Sequence, residues 1–264
     1  GNSLAISEDD ELNRWSKLNS NPITPDDSEV EANKSGRKSP HGKGYRSWDP
    51  FGWYSSGNYY AIFGGESPAV AKASTLDGKW HYVGDLFAHK IDGISLQEDV
   101  SCPDLFRLGN KDILLCISHR MGCRYYVGKW KNEQFYPEHH AQMSWVDNTF
   151  FAPESLEDEK GRRIMWAWLL DYRDLGARLD QGWSGTLSLP RVLNLGVDGL
   201  LDIDVAKEIE SLRYRHLRKT DLTINSGQKI YVVDVGVCGV CDAQAVTTRG
   251  TIINNRRFIF STLC

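Results

Sequence analysis

Three prolines, Pro50, Pro103 and Pro153, lie 53 and 50 residues apart, and the sequence around each repeats. Asp49-Pro50 is followed, nine residues after the proline, by Tyr59-Tyr60-Ala61-Ile62-Phe63. Cys102-Pro103-Asp104 is followed at the same offset by Asp112-Ile113-Leu114-Leu115-Cys116. Ala152-Pro153-Glu154 precedes Arg163-Ile164-Met165-Trp166-Ala167-Trp168. Short runs rich in β-branched and aromatic residues read as strands. A second strand follows in each unit (Ala69 to Ser74, Arg124 to Trp130, Gly185 to Leu193), and then a third (Lys79 to Phe87, Gln134 to Glu138, Leu200 to Ile203). Glycine-containing or charged turns separate them, such as Ser56-Gly57-Asn58 and Gly109-Asn110-Lys111.

A period of about 40–50 residues built from short antiparallel strands is the signature of propeller blades. One blade cannot bury both its faces, so blades stack about an axis. The expected class is all-β, a partial β-propeller, and the alternative is a β-sandwich with chance internal similarity. Glu11 to Ile23 reads as the last strand of a preceding blade, and residues 24–44, rich in Pro, Asp, Ser, Lys and Gly, read as a loop. The expected organisation is blades over 1–206, a connector over 207–218, and a truncated sandwich-like tail over 219–264. Three blades and part of a fourth do not close a ring of roughly four to eight. The chain is therefore expected to be an incomplete domain, or to close with another chain through its open edges.

Composition narrows the function. A net charge of −4 gives no reason to expect nucleic acid or an anionic membrane as partner. The seven apolar residues Ile164 to Leu170 fall well short of the roughly 18 a membrane helix needs. Cys238-x-x-Cys241 has the spacing of half a zinc or redox site, with plain thiols as the favoured alternative, since a closed zinc site takes about four ligands. His119, His139 and His140 form no metal set, and no glycine-rich phosphate loop occurs, so neither metal nor cofactor is assigned.

Several motifs, in order, resemble glycoside hydrolase family 32, the invertases, levanases and inulinases. They are Asn13-Arg14-Trp15 through Asn21-Pro22-Ile23, Ser47-Trp48-Asp49-Pro50, and Cys102-Pro103-Asp104-Leu105-Phe106. They continue as Phe150 to Ser155, Gly161 to Trp166, Gly182-Trp183-Ser184-Gly185, and Leu189-Pro190-Arg191. The resemblance covers about residues 10–215. It implies a five-bladed propeller followed by a β-sandwich. It also implies retaining hydrolysis of terminal β-fructofuranosyl bonds in sucrose or fructans, with a fructose-containing di- or oligosaccharide as partner.

Retaining hydrolysis needs a nucleophilic carboxylate and an acid/base carboxyl about 5–5.5 Å apart. By resemblance Asp49 matches the aspartate of an Arg-Asp-Pro motif, which binds fructose hydroxyls and stabilises the transition state; as a bare residue it is equally a turn-forming Asp before Pro. Trp48 replaces the motif's arginine, and Arg46, two residues earlier on the same face of an extended backbone, is the candidate substitute cation. At the acid/base position, directly before Cys-Pro-Asp, the family has Glu and this chain has Ser101. A serine hydroxyl is far too weak an acid for that work. Asp99 shares a face with Ser101 on an extended strand and is the candidate replacement, unless a bulge brings Glu98 round instead. The alternative is that Glu98-Asp99 is a solvated acidic loop. The family's nucleophile motif, Trp-x-Asn-Asp-Pro-Asn-Gly, does not occur in these 264 residues.

Asp104 and Glu154 are expected to line the central funnel as repeat equivalents of Asp49, and Trp183 to line the sugar pocket or pack between blades. Trp166 and Trp168 are expected in the core. The leading expectation is a family-32-like chain that is inactive alone. The alternatives are a non-catalytic carbohydrate-binding relative, a furanosidase of the same architecture acting on arabinan-type substrates, and a coding fragment with no stable function.

Overall fold

The computed structural model describes residues 2–24, 48–65, 68–94, 98–144 and 149–212, with the backbone of 219–224, 242–247 and 256–263. Arg46, Cys238 and Cys241 lie outside the described residues. The chain divides into two compact units, Gly1–Asp204 and Val205–Cys264.

The first unit opens with a small hairpin, β1 (Ala5–Ser7) antiparallel to β2 (Trp15–Lys17). Three antiparallel meanders follow. The first sheet is β3 (Phe51–Ser55), β4 (Asn58–Phe63), β5 (Ala69–Ala73) and β6 (His81–Asp85), paired in chain order. The second is β7 (Ser101–Leu108), β8 (Lys111–Ser118), β9 (Gly122–Lys131) and β10 (Gln134–Gln142). The third begins with β11 (Phe150–Glu157) and β12 (Arg163–Leu169) and then leaves the sheet for a helix, α1 (Leu175–Gln181). It returns through β13 (Thr186–Leu187), which pairs beside β12, and closes with β14 (Arg191–Leu195) and β15 (Leu201–Val205). The proline-marked repeats are thus three blades of a partial propeller, the first two of four strands and the third of five, with β13 added beside β12.

The expected strand from Gly185 to Leu193 is two strands, because Ser188 leaves the ladder. Its hydroxyl accepts the Ala167 N–H at 3.0 Å and its N–H donates to the Ala167 carbonyl at 2.8 Å. The helix α1 was not expected. Asp174 caps it by accepting the Ala177 N–H at 2.9 Å, and Gly182, at φ 72°, ends it in the left-handed conformation that glycine favours.

The second blade is buried on both faces, which explains the unbroken apolar run in β8. Leu114 and Cys116 of β8 pack with Tyr126 and Phe135 against Tyr60, Ile62 and Val70 of the first blade. The intervening Ile113 and Leu115 pack with Tyr125 and Val127 against Met165, Leu193 and Leu201 of the third. Each such side chain contributes about 1.5–3 kcal/mol by leaving water. Polar groups join the first two blades as well: Glu133 accepts from Lys72 Nζ at 2.6 Å and from the Tyr60 hydroxyl at 3.0 Å. Trp53 and Trp130 meet edge to face at 5.1 Å across the same boundary.

The far face of the first blade carries Ala61, Phe63, Ala69, Ala71 and Trp80, partly covered by Ile23. A cavity of about 450 Å³ lies there, lined by Leu4, Ile23, Trp53, Tyr59 and Trp80 among others. On the third blade Trp168 is 45% exposed, which corrects the expectation that it is core, while Trp166 is half-buried. In the second unit a 3-10 helix, Lys207–Leu212, is followed among the described residues by β16 (Lys219–Ile224), β17 (Asp242–Thr247) and β18 (Arg256–Leu263). These form an antiparallel sheet with β18 in the middle.

Candidate carboxylate cleft at the blade starts

The residue before each repeat proline has left-handed backbone: Asp49 at φ 42°, Cys102 at 47° and Ala152 at 48°. A non-glycine residue rarely adopts that region, and proline disfavours the helical alternative for its predecessor. In β7 and β11 the pairing register shifts at this point, between Ser101 and Asp104 and between Phe151 and Glu154. Such bulges re-aim side chains at the end of a strand. The backbone also corrects the expected repeat equivalence. Asp49 corresponds to Cys102 and Ala152, whereas Asp104 and Glu154 correspond to each other and to Phe51.

Three carboxylates, Asp49, Glu154 and Asp99, lie near Cys102. Its backbone N–H donates to Asp49 Oδ2 at 3.3 Å, linking the second blade to the start of the first. Its half-buried thiol is pushed up to about 12 by burial and by the charges of Asp49, Glu154 and Asp99, so it stays protonated at neutral pH. The third blade joins the second in the same way, where the Ser155 hydroxyl donates to Asp104 Oδ2 at 2.5 Å. Asp104 is 1% exposed, and its Oδ1 has no hydrogen-bond partner. Burial lifts its carboxyl to about 6, against the lowering effect of the Ser155 hydroxyl and the Arg163 cation. Glu154 presents surface to solvent, yet the surrounding blade ends strip part of its hydration. That burial, and then the charges of Asp104 and Asp49, lift its carboxyl to about 7.

Ser101 and Asp99 do meet. The Ser101 hydroxyl donates to Asp99 Oδ1 at 2.6 Å, and the backbone N–H of His119 donates to Oδ2 at 3.0 Å. The His119 ring nitrogen Nδ1 also contacts Oδ2. Both oxygens of Asp99 are therefore committed to Ser101 and His119. The serine is 6% exposed and bonds directly to the aspartate, so no imidazole stands between them to take its proton. Glu98 is also buried, 8% exposed, and accepts from the Ser118 hydroxyl. Neither acid belongs to a solvated loop.

An aromatic row leads away from Asp99. The His119 ring lies 5.4 Å from Phe151, and Phe151 lies 6.1 Å edge-on to Trp168. Trp168 packs on Gly185, whose φ of 71° and missing side chain leave room for the indole. Two residues earlier Trp183 is 53% exposed, with the Arg173 guanidinium 4.0 Å over its ring. Asp171 fixes that guanidinium at 2.6 Å, and the pairing holds the Asp171 carboxyl well below the usual carboxylate range. Trp48 is 46% exposed and lies over Gly65.

The structure thus brings Asp49, Asp99 and Glu154 near Cys102, bonds Ser101 to Asp99, buries Asp104 against Ser155, and sets Trp183 apart on the Arg173 clamp. Sequence reasoning weighed His119 only as a metal ligand and gave Phe151 and Arg173 no role. The flanking Asp174 and Gly182 were a readable signal for the helix that carries the clamp. Among the described residues, no group of three or more His, Cys, Asp or Glu side chains is arranged to hold a metal ion. The 450 Å³ cavity is lined by none of the clustered carboxylates.

Comparison with known proteins places these features in a family. Residues 2–202 match the glycosyl hydrolases family 32 N-terminal domain. The sucrose-6-phosphate hydrolase of Bacillus subtilis is 30% identical over 179 residues, which are 58% of this chain and 36% of that protein. The sucrose-6-phosphate hydrolase of Zymomonas mobilis is 28% identical over 144 residues, 50% of this chain and 28% of that protein. The chain thus spans only about a third of the length of these relatives. Fructan 1-exohydrolase IIa from Cichorium intybus superposes with a TM-score of 0.62 at 21% identity, covering 86% of this chain and 45% of that one. That likeness establishes the propeller fold.

Proposed function

The chain belongs to glycosyl hydrolase family 32, and on that premise we propose that its blade starts form a fructoside-binding cleft of the β-fructofuranosidase type. The proposed ligand is a terminal β-fructofuranosyl unit of sucrose or a fructan, held by Asp49 with Glu154 and the exposed indole of Trp48 beside it; Asp104 is buried and Trp183 lies apart, so the structure does not bring these two expected contacts to it. The family reaction is retaining hydrolysis, and this chain alone does not sustain it. A buried serine occupies the acid/base position, Asp99 is tied to Ser101 and His119, and the nucleophile motif is absent from these 264 residues. Loss of an acid or nucleophile removes most of an enzyme's rate enhancement.

The observation that carries the reading is the hydrogen bond from Cys102 to Asp49 between two neighbouring blade starts. It supports a carboxylate held in position at a cleft, and not merely a turn-forming aspartate. The relatives support the substrate class by their names, which include raffinose invertase and fructan 1-exohydrolase. Incubating the purified chain with sucrose and inulin, and assaying released fructose, tests the first half. The expected result is no measurable release, and turnover near an ordinary enzymatic rate of about 10 s⁻¹ would contradict it. Calorimetric titration with fructose oligomers tests the second half, with saturable binding expected. Self-association through the uncovered blade faces is proposed as well, and sedimentation at increasing protein concentration measures it.

A further inference from the structure

We propose that His119 is a ligand-contacting residue of this cleft, its imidazole turned by Asp99 so that Nε2 meets a hydroxyl of the bound sugar. The inference deepens the fructoside reading above and rests on it.

Three contacts place the ring. His119 Nδ1 meets Asp99 Oδ2, and the same oxygen accepts the backbone N–H of His119 at 3.0 Å. The ring centre lies 5.4 Å from that of Phe151, with the two planes at 69°. A carboxylate only accepts, so the nitrogen that faces it carries a proton. The bond at one ring nitrogen sets the tautomer, which makes Nε2, across the ring, the acceptor of the neutral imidazole. The Asp99 side chain is 12% exposed and the His119 side chain 61%, so the imidazole is the part of this pair that a ligand meets. Its Nε2 accepts a sugar O–H from the neutral ring, or donates to the hydroxyl oxygen from the charged one.

The support behind the ring is fixed before any ligand arrives. His119 lies in the turn between β8 and β9, next to Ser118. The Ser118 hydroxyl donates to Glu98 and accepts the Met121 N–H at 3.0 Å. The adjacent acids Glu98 and Asp99 thus each hold one residue of this turn. Asp99 is anchored in turn by the Ser101 hydroxyl, 2.6 Å from Oδ1, which makes it a positioning residue for the imidazole. A group already held in place loses less freedom on binding. The ring also stands at the blade starts. Ser101 precedes Cys102, whose N–H bonds Asp49, and Phe151 precedes Ala152, the corresponding residue of the third blade.

The test is calorimetric titration of the full chain with inulin-type fructose oligomers, alongside long-range proton–nitrogen correlation of its histidine rings. H119N keeps a donor for Asp99 near the place of Nδ1 and has nothing at the place of Nε2. It should melt with the wild type and bind the oligomers about 5–10-fold more weakly, the worth of one hydrogen bond. In the wild type the Nε2 resonance of His119 should move in step with saturation, a readout that needs no variant to fold. A residue that only braced the turn would lose no affinity as H119N and show no shift at Nε2. Saturable binding with an unmoved Nε2, or equal affinity of H119N and wild type, overturns the inference and leaves the fructoside reading standing. So does a neutral ring protonated on Nε2. Absence of binding by the wild type overturns both.

Discussion

The backbone N–H of Cys102 reaches Asp49 Oδ2 at 3.3 Å, and both residues have left-handed backbone immediately before a proline. The third blade repeats the geometry at Ala152, where no side-chain interaction compensates the strained φ of 48°. Ala152→Gly should therefore stabilise the chain. The left-handed conformation costs an alanine about 1–2 kcal/mol, and the added freedom of glycine in the unfolded chain gives back about 0.4–1 kcal/mol. A net gain of roughly 0.5–1 kcal/mol in urea unfolding is expected. A clear loss would show that the backbone at this position is not strained.

Asp104 makes stability depend on pH with a definite sign. Its carboxyl rises from 3.8 in the unfolded chain to about 6 in the fold, so the folded state binds more protons between these values. The associated stability is complete below about pH 4 and is lost as pH climbs through 6. D104N keeps an acceptor for Ser155 but does not titrate. It should gain on wild type by on the order of 2 kcal/mol between pH 4.5 and 7.5, read from urea unfolding at each pH. An unchanging gap between the two proteins would contradict this.

The acid/base position resists simple repair. Ser101 is 6% exposed and bonded to Asp99, so Ser101→Glu drives a larger, like-charged side chain into a filled site. A destabilisation of about 2–4 kcal/mol is expected. Fructose release from sucrose should stay undetectable, because no nucleophile motif accompanies the new carboxyl. Recovery of turnover in this variant would mean that another residue of the chain supplies the nucleophile.

Packing is tested by two leucines. Leu114 is fully buried between the first and second blades, and L114A should cost about 2–5 kcal/mol. Leu156 is 49% exposed, and L156A should stay within about 0.5 kcal/mol of wild type. Thermal melts of the pair decide whether the second blade is sandwiched as described.

Most of the scaffold was readable because prolines and apolar runs are local signals. Pro50, Pro103 and Pro153 marked the blade starts, and the Tyr59–Phe63 and Asp112–Cys116 runs fell inside β4 and β8. What was missed depends on backbone dihedrals and on contacts between blades. Asp49 and Asp104 look equivalent as acids beside a proline, yet one precedes it in left-handed backbone and the other follows it in the strand. The burial of Glu98 and Asp99 was hidden because Ser118 and His119, their partners, come from the far end of the neighbouring strand. Trp168 alternates with Trp166 like a core residue, but lies over Gly185 with nearly half its surface open.

The most direct test of the cleft is calorimetric titration of the full chain and of D49N with inulin-type fructose oligomers. Asparagine tolerates left-handed backbone, so D49N should melt with the wild type while losing the charge. Saturable binding by the wild type, weakened at least about tenfold in D49N, is the predicted result, a loss of about 1.4 kcal/mol. Equal affinity of the two proteins, or no binding by either, would contradict a fructoside cleft built on Asp49.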